Sequence, residues 1–224
     1  MHPAMTRPPT ALVIFDCDGV LVDSEPIALR LLVETLAEAG LDLDVAAASD
    51  RFLGRSLAST RALLAADFGV ELTDAALEAM RVKLYAAFCA ELAPIPRVAE
   101  TLPRLGTPFC VASSSQTERI RLSLKVTGLL PAFEGAIFSA SEVANGKPAP
   151  DLFLHAAARM GADPAACLVV EDSPAGITAG KAAGMRVVGF LGGGHAGDPS
   201  HRAALALVAP DAMISDMRDL PELL

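Results

Sequence analysis

The stretch VIFDCDGVLVDSEP, residues 13–26, starts as an apolar run and then crowds Asp16, Asp18, Asp23 and Glu25 into ten residues. Aspartate is a poor strand former and costly to bury without a partner. The apolar part is too short for an ordinary helix and reads as a strand buried on both faces of a parallel sheet. The acidic cluster then falls at the carboxyl end of that strand, the side on which open α/β sheets bind their ligands.

Five more short runs follow ALVIF (11–15): FCVAS (109–113), GAIFS (135–139), CLVVE (167–171), RVVGF (186–190) and AMIS (212–215). Between the later runs lie helical segments with recognisable ends. Ser115 and Glu118 have the spacing of a capping box, Ser173 and Pro174 suit the N-cap and first helical position, and Gly128, Gly161 and Gly184 suit C-terminal caps. Strand alternating with helix predicts an α/β fold, a doubly wound parallel sheet of Rossmann-like type.

More than ninety residues separate the first two strands, and they read as helices at about 24–39, 45–53, 56–68 and 73–92. A crossover needs only about a dozen residues, so the excess predicts an inserted all-helical cap domain. The expected division is an α/β core of residues 1–22 and 95–224 with a cap of residues 23–94, hinged near 20–25 and 93–98, where Pro94 and Pro96 stiffen the return.

Composition narrows the partners. A net charge of -9 disfavours a nucleic-acid surface, which needs a basic patch. Cys17, Cys89, Cys110 and Cys167 are far apart, lack CxxC pairing and read as reduced thiols. No run reaches the ~18 apolar residues of a membrane span, and the first ten residues lack an apolar signal core. The expectation is a soluble cytoplasmic protein, a monomer or weak homodimer, whose partner is a small molecule, with no membrane and no nucleic acid.

Placed on this skeleton, the unusual polar residues gather at one sheet edge. Asp16 and Asp18 end the first strand, Ser113, Ser114 and Ser115 the second, Glu171 and Asp172 the fourth, and Lys147 follows the third. Residues two apart in an extended chain share a face, so Asp16 and Asp18 are expected to point the same way and to repel unless a cation separates them. With Asp172 they make an all-oxygen set suited to Mg²⁺ and a substrate phosphate. Lys147, the serine hydroxyls and a helix N-terminus supply what a phosphate binds. Each feature alone has a plainer explanation as a cap, a turn or a solvated loop lysine; together they point to phosphoryl transfer, which is largely positioning and charge neutralisation.

Four motifs, D-x-D-G-V-L-V-D-S (16–24), V-A-S-S-S (111–115), G-K-P-A-P-D (146–151) and V-V-E-D-S-P-A-G-I (169–177), resemble in order and spacing those of the haloacid dehalogenase superfamily. The resemblance runs from residue 12 to about 190 and lies with the helical-cap phosphatases and phosphomutases. It implies that Asp16 is the nucleophile, forming an aspartyl-phosphate, and that Asp18 is the general acid and base. Asp16, Asp172 and the main-chain carbonyl of Asp18 would hold Mg²⁺, with Glu171 just outside the ligands. Ser113, the main chain of Ser114 and Lys147 would hold the phosphoryl oxygens, and Asp23, Ser24 and Glu25 would form the hinge.

The dehalogenases lack the second aspartate of the first motif, and phosphonate hydrolases replace it, so Asp18 argues against both. Phosphomutases of this type usually carry a histidine where this chain has Ala28. A Mg²⁺-dependent phosphatase of small phosphorylated sugars, sugar acids or polyols is therefore expected, ahead of a β-phosphoglucomutase-like phosphotransferase or a non-catalytic binding module. No cysteine has the C-x₅-R spacing of a cysteine phosphatase, and G-x-S-x-G is absent. Within the cap, SDRFLGRS (49–56) is the candidate leaving-group patch, with Gly54 at a turn and Arg51 and Arg55 suited to a hydroxyl, a carboxylate or a second phosphate.

Overall fold

The computed structural model describes residues 9–52 and 57–224. Along β1 (Leu12–Phe15) side chains alternate between two cores: Val13 and Phe15 join one apolar cluster, Leu12 and Ile14 the other. This is why the strand reads as apolar throughout, since both faces are covered. The same holds for β2 (Phe109–Ser113) and β4 (Cys167–Glu171), which flank it. With β3 (Ile137–Ser139), β5 (Arg186–Phe190) and β6 (Ala212–Ile214) they form one sheet of six parallel strands in the order β3-β2-β1-β4-β5-β6. All six expected strands are present, and the fold is the α/β, doubly wound class.

Phe15 is in register with Val111 of β2 and Val170 of β4. The carboxyl end of β1 therefore opens where the strand order reverses, at the switch point of the sheet. On one face lie α5 (Val98–Thr101) and α6 (Thr117–Val126); on the other, α7 (Asp151–Arg159), α8 (Pro174–Ala182) and α9 (Pro199–Leu207).

Four helices occupy the interval between β1 and β2: α1 (Glu25–Glu38), α2 (Val45–Phe52), α3 (Leu57–Leu63), which runs on into a π-helical turn at Leu64–Phe68, and α4 (Asp74–Glu91). Leu36, Ala48, Phe52, Leu64 and Leu72 give them a small core of their own. Leu84 and Phe88 of α4 pack instead into the cluster on the sheet. The chain leaves and returns side by side: Val22 bridges Pro94 antiparallel, the Asp23 N–H donates to the Ala93 carbonyl at 3.0 Å, and the Ile95 N–H to the Leu21 carbonyl at 2.9 Å.

One local expectation is corrected. Ser115 caps no helix: α6 begins at Thr117 behind an extended Gln116 that makes no side-chain cap. The Ser115 hydroxyl donates to Asp18 instead, and a tertiary partner has displaced a local one. Ser173 does cap α8, accepting from the Gly176 N–H, with Pro174 next. Among the described residues no helix is long and apolar enough to cross a membrane. Cys17, Cys110 and Cys167 are buried and free, and Cys89 is exposed.

Candidate active site

Beyond Phe15 the strand ends and residues 17–22 fold back in a tight turn, with the Leu21 and Val22 N–H groups donating to the Cys17 carbonyl at 2.9 and 3.1 Å. Gly19 makes this turn possible, at φ +79 and with Asp172 so near that a Cβ would lie 2.0 Å from Oδ2. Asp16 and Asp18 both reach one cavity of about 420 Å³, but as a strand end and a turn residue rather than as successive positions of a strand.

Lys147 lies at the base of that cavity with its side chain 4% exposed. Its Nζ donates to Asp16 Oδ1 and to Glu171 Oε1, each at 2.6 Å, and to the Ala112 carbonyl at 3.1 Å. Burial works against its charge, but the two carboxylates outweigh that and raise its pKa, so the ammonium stays protonated. Glu171 is itself fixed at the start of α8: Oε2 accepts from the Ser173 N–H and hydroxyl, both at 2.9 Å. Gly176 leaves the space, since a Cβ there would lie 1.8 Å from Glu171 Oε1.

Asp18 has a separate set of partners. Oδ1 accepts from the Ser24 hydroxyl at 2.6 Å and from Arg119 Nη2 at 2.9 Å, and Oδ2 from the Ser115 hydroxyl at 2.7 Å. Burial pushes this carboxyl up; Arg119 and the two hydroxyls more than offset it, leaving the pKa below its usual value. Asp16 goes the other way. Burial is the main cause, Lys147 opposes it, and Glu171, Asp172 and Asp18 add to it, lifting the pKa well above the ordinary range.

Among the described residues no three of His, Cys, Asp and Glu are spaced as a ready-made metal cluster. The charge balance nonetheless fits a divalent cation. Carboxylates outnumber cations around Asp16, and an oxygen-only set with two carboxylates, a main-chain carbonyl and room for phosphate and waters is what Mg²⁺ takes. The residues present therefore fit the ion.

The cavity wall joins every sequence-predicted residue of the sheet edge: Asp16, Asp18, Ser113, Ser114, Lys147, Glu171 and Asp172. Ser113 is buried and its hydroxyl accepts from the Ser115 N–H at 3.1 Å, whereas Ser114 is exposed. The helical insertion contributes mainly apolar wall, including Leu29, Leu32, Phe52, Met80 and Leu84, together with Ala28. Arg51 is exposed on α2, paired with Asp67 Oδ2 at 3.6 Å and lying 5.0 Å from the Phe68 ring centre. Gly54 and Arg55 lie outside the described residues. His155 meets Glu142 Oε2 at 3.4 Å and the Phe138 ring, away from the site.

Sequence reasoning missed Arg119, whose guanidinium bridges Asp18 and the ring of Phe88 on α4, 5.3 Å from the ring centre. It also missed the cavity role of His201; His195, in the glycine-rich loop, lines the cavity too. The signal for Arg119 was its place on the first turn of the helix that follows the serine motif. Nothing local marks His201.

A haloacid dehalogenase-like hydrolase model matches residues 10–184. The 6-phosphogluconate phosphatase of Escherichia coli is 34% identical over 184 residues, 82% of this chain and 83% of the relative. A conserved haloacid dehalogenase-like protein of unknown function from Agrobacterium tumefaciens superposes with a TM-score of 0.87 at 38% identity, covering 96% of this chain and 97% of that one. A haloacid dehalogenase-family hydrolase from Deinococcus radiodurans, solved with bound phosphate and sodium, gives a TM-score of 0.77 at 35% identity, with 95% and 93% covered.

Proposed function

We infer that this chain, which belongs to the haloacid dehalogenase-like hydrolases, is a phosphatase, and we propose that it hydrolyses phosphate monoesters of sugars, sugar acids or polyols through an aspartyl-phosphate. The observation that carries the reading is the buried Lys147 held between Asp16 and Glu171 at the base of the cavity. A lysine so placed is the cation a dianionic phosphoryl group needs, next to the carboxylate that attacks it.

In the first step an Asp16 oxygen bonds to phosphorus as the ester P–O bond breaks, and Asp18 gives its proton to the departing alkoxide. In the second, Asp18 takes a proton from water, the oxygen of that water attacks phosphorus, and the acyl-phosphate P–O bond to Asp16 breaks. Phosphate leaves, Asp16 is again a carboxylate, and Asp18 is again the protonated acid with which the cycle began. As held by Arg119, Asp18 is in the ionised form that accepts a proton. To deliver one it must first be protonated and turn from that guanidinium.

Asp16, Asp172 and the Asp18 main-chain carbonyl are the proposed ligands of Mg²⁺, which would supply positive charge to the phosphoryl oxygens when bound. Ser113, Ser114 and Lys147 orient those oxygens. The helical insertion, residues 23–94, covers the leaving group and keeps water out, with Arg51, Gly54 and Arg55 as its candidate recognition patch.

The test is phosphate release from a panel of sugar, sugar-acid and polyol phosphates, with Mg²⁺ and with EDTA. Metal-dependent release favouring one of these groups is expected. Turnover only between sugar phosphate isomers, after addition of a sugar bisphosphate, would make the chain a mutase and overturn the proposal.

A further inference from the structure

The connection from β5 to α9, residues 191–198, and the first turn of α9 bring two histidines onto Asp172. His195 Nε2 lies 3.0 Å from Asp172 Oδ2, with the ring 5% exposed. His201, also buried, stands edge-on to His195 with ring centres 4.7 Å apart. His195 Nδ1 has no partner, so the ring's contact with Asp172 is made through Nε2 alone.

The seat for the inner ring is cut by glycines. A Cβ on Gly193 would lie 2.8 Å from His195 Cε1 and Nδ1, and one on Gly19 would lie 2.9 Å from Cε1. The connection is tied at both ends: the Gly194 N–H donates to Asp23 Oδ1 at 2.9 Å, and Asp198 caps α9 through the Ser200 N–H at 2.8 Å. A single buried histidine beside a carboxylate is ordinary packing. Here the histidine that meets the Asp172 carboxylate is itself backed by a second buried ring and seated against glycines, so its contact with that side chain is held from behind.

We propose that His195 is a positioning residue that fixes the Asp172 carboxylate for Mg²⁺, with His201 bracing the His195 ring. The inference rests on Asp172 being a ligand of the metal. A partner on Oδ2 limits how the Asp172 carboxylate can turn, and partners of this kind typically affect metal affinity 10–100-fold.

The experiment is calorimetric titration of Mg²⁺ into the unsubstituted chain, His195→Leu, His195→Gln, Gly193→Ala and Asp172→Asn. His195→Leu is expected to weaken binding roughly 10–100-fold, and His195→Gln, which restores an N–H donor, to recover most of that loss. Gly193→Ala keeps the histidine but displaces its ring, and is expected to weaken binding too; it carries the test if circular dichroism shows His195→Leu unfolded. Mg²⁺ binding as tight in Gly193→Ala and His195→Leu as in the unsubstituted chain would overturn the positioning role alone. Equal binding, or none, in the unsubstituted chain and Asp172→Asn would remove the metal from Asp172 and the positioning role with it.

Discussion

The ammonium of Lys147 lies 2.6 Å from the carboxylate of Asp16, and both side chains are withdrawn from water. A buried pair of this kind contributes little to net stability when intact, because desolvation offsets attraction; removing one partner strands a charge. Lys147 also serves Glu171, so its loss strands two.

Lys147→Met is therefore expected to destabilise the fold by roughly 3–5 kcal/mol as well as abolish turnover. Denaturant unfolding monitored by circular dichroism measures the first and phosphate release the second. A fully stable Lys147→Met protein would mean the carboxylates relax or protonate at small cost.

Asp16→Asn should lower kcat by on the order of 10⁴-fold or more while the circular dichroism spectrum and melting profile stay native-like. Amide nitrogen and oxygen cannot replace the attacking carboxylate, although the side chain fills the same space. Substantial residual turnover would remove Asp16 as the nucleophile.

Exchanging a helical glycine for alanine is usually stabilising. At Gly176 of α8 the sign should reverse, because the new Cβ meets a Glu171 carboxylate already pinned by Lys147 and Ser173. A net loss of roughly 2 kcal/mol is expected from Gly176→Ala, read by thermal unfolding. A gain would show that Glu171 has slack which its hydrogen bonds do not suggest.

The pH dependence follows from Asp16 and Glu25. Burial, joined by the negative charges of Asp172 and Asp18, raises Glu25 from 4.5 to about 7, and Asp16 also moves up. A carboxyl whose folded pKa exceeds its unfolded one favours folding fully below the unfolded value and loses that contribution as pH climbs through the folded value. In EDTA the melting temperature should thus fall between about pH 4.5 and about 7, less steeply in Glu25→Gln, and Mg²⁺ should flatten the profile. Parallel profiles for the two proteins would exclude Glu25 as a source.

Arg119→Ala should move the alkaline limb of the pH profile of kcat/KM upward, because Asp18, which must be protonated to serve the leaving group, loses the cation and hydrogen bond that hold its pKa down. An unmoved limb would assign it to another group.

The sheet was legible because β1, β4 and β5 are buried on both faces and therefore apolar in sequence; the turn and cap residues between them marked the helices. The sheet-edge cluster was legible because parallel topology brings strand ends together whatever their separation along the chain. What stayed hidden was partner choice. Ser115 has the spacing of a cap, yet its hydroxyl goes to Asp18, 97 residues away, and Arg119 goes to the same carboxylate from 101 residues away. His195 sits among glycines that look like a plain loop until Asp172 is seen against Gly19. Such pairings follow from how elements dock, and no local spacing encodes them.

The paired exit and return of the chain at Asp23 and Ala93 has a consequence for descent. Because the two junctions are one hydrogen bond apart, everything between them can lengthen, shorten or be exchanged without altering the register of any strand. A lineage carrying this joint can therefore revise the helices between the junctions while the strands keep their pairing, so long as Ser24 stays against Asp18 and Phe88 against Arg119.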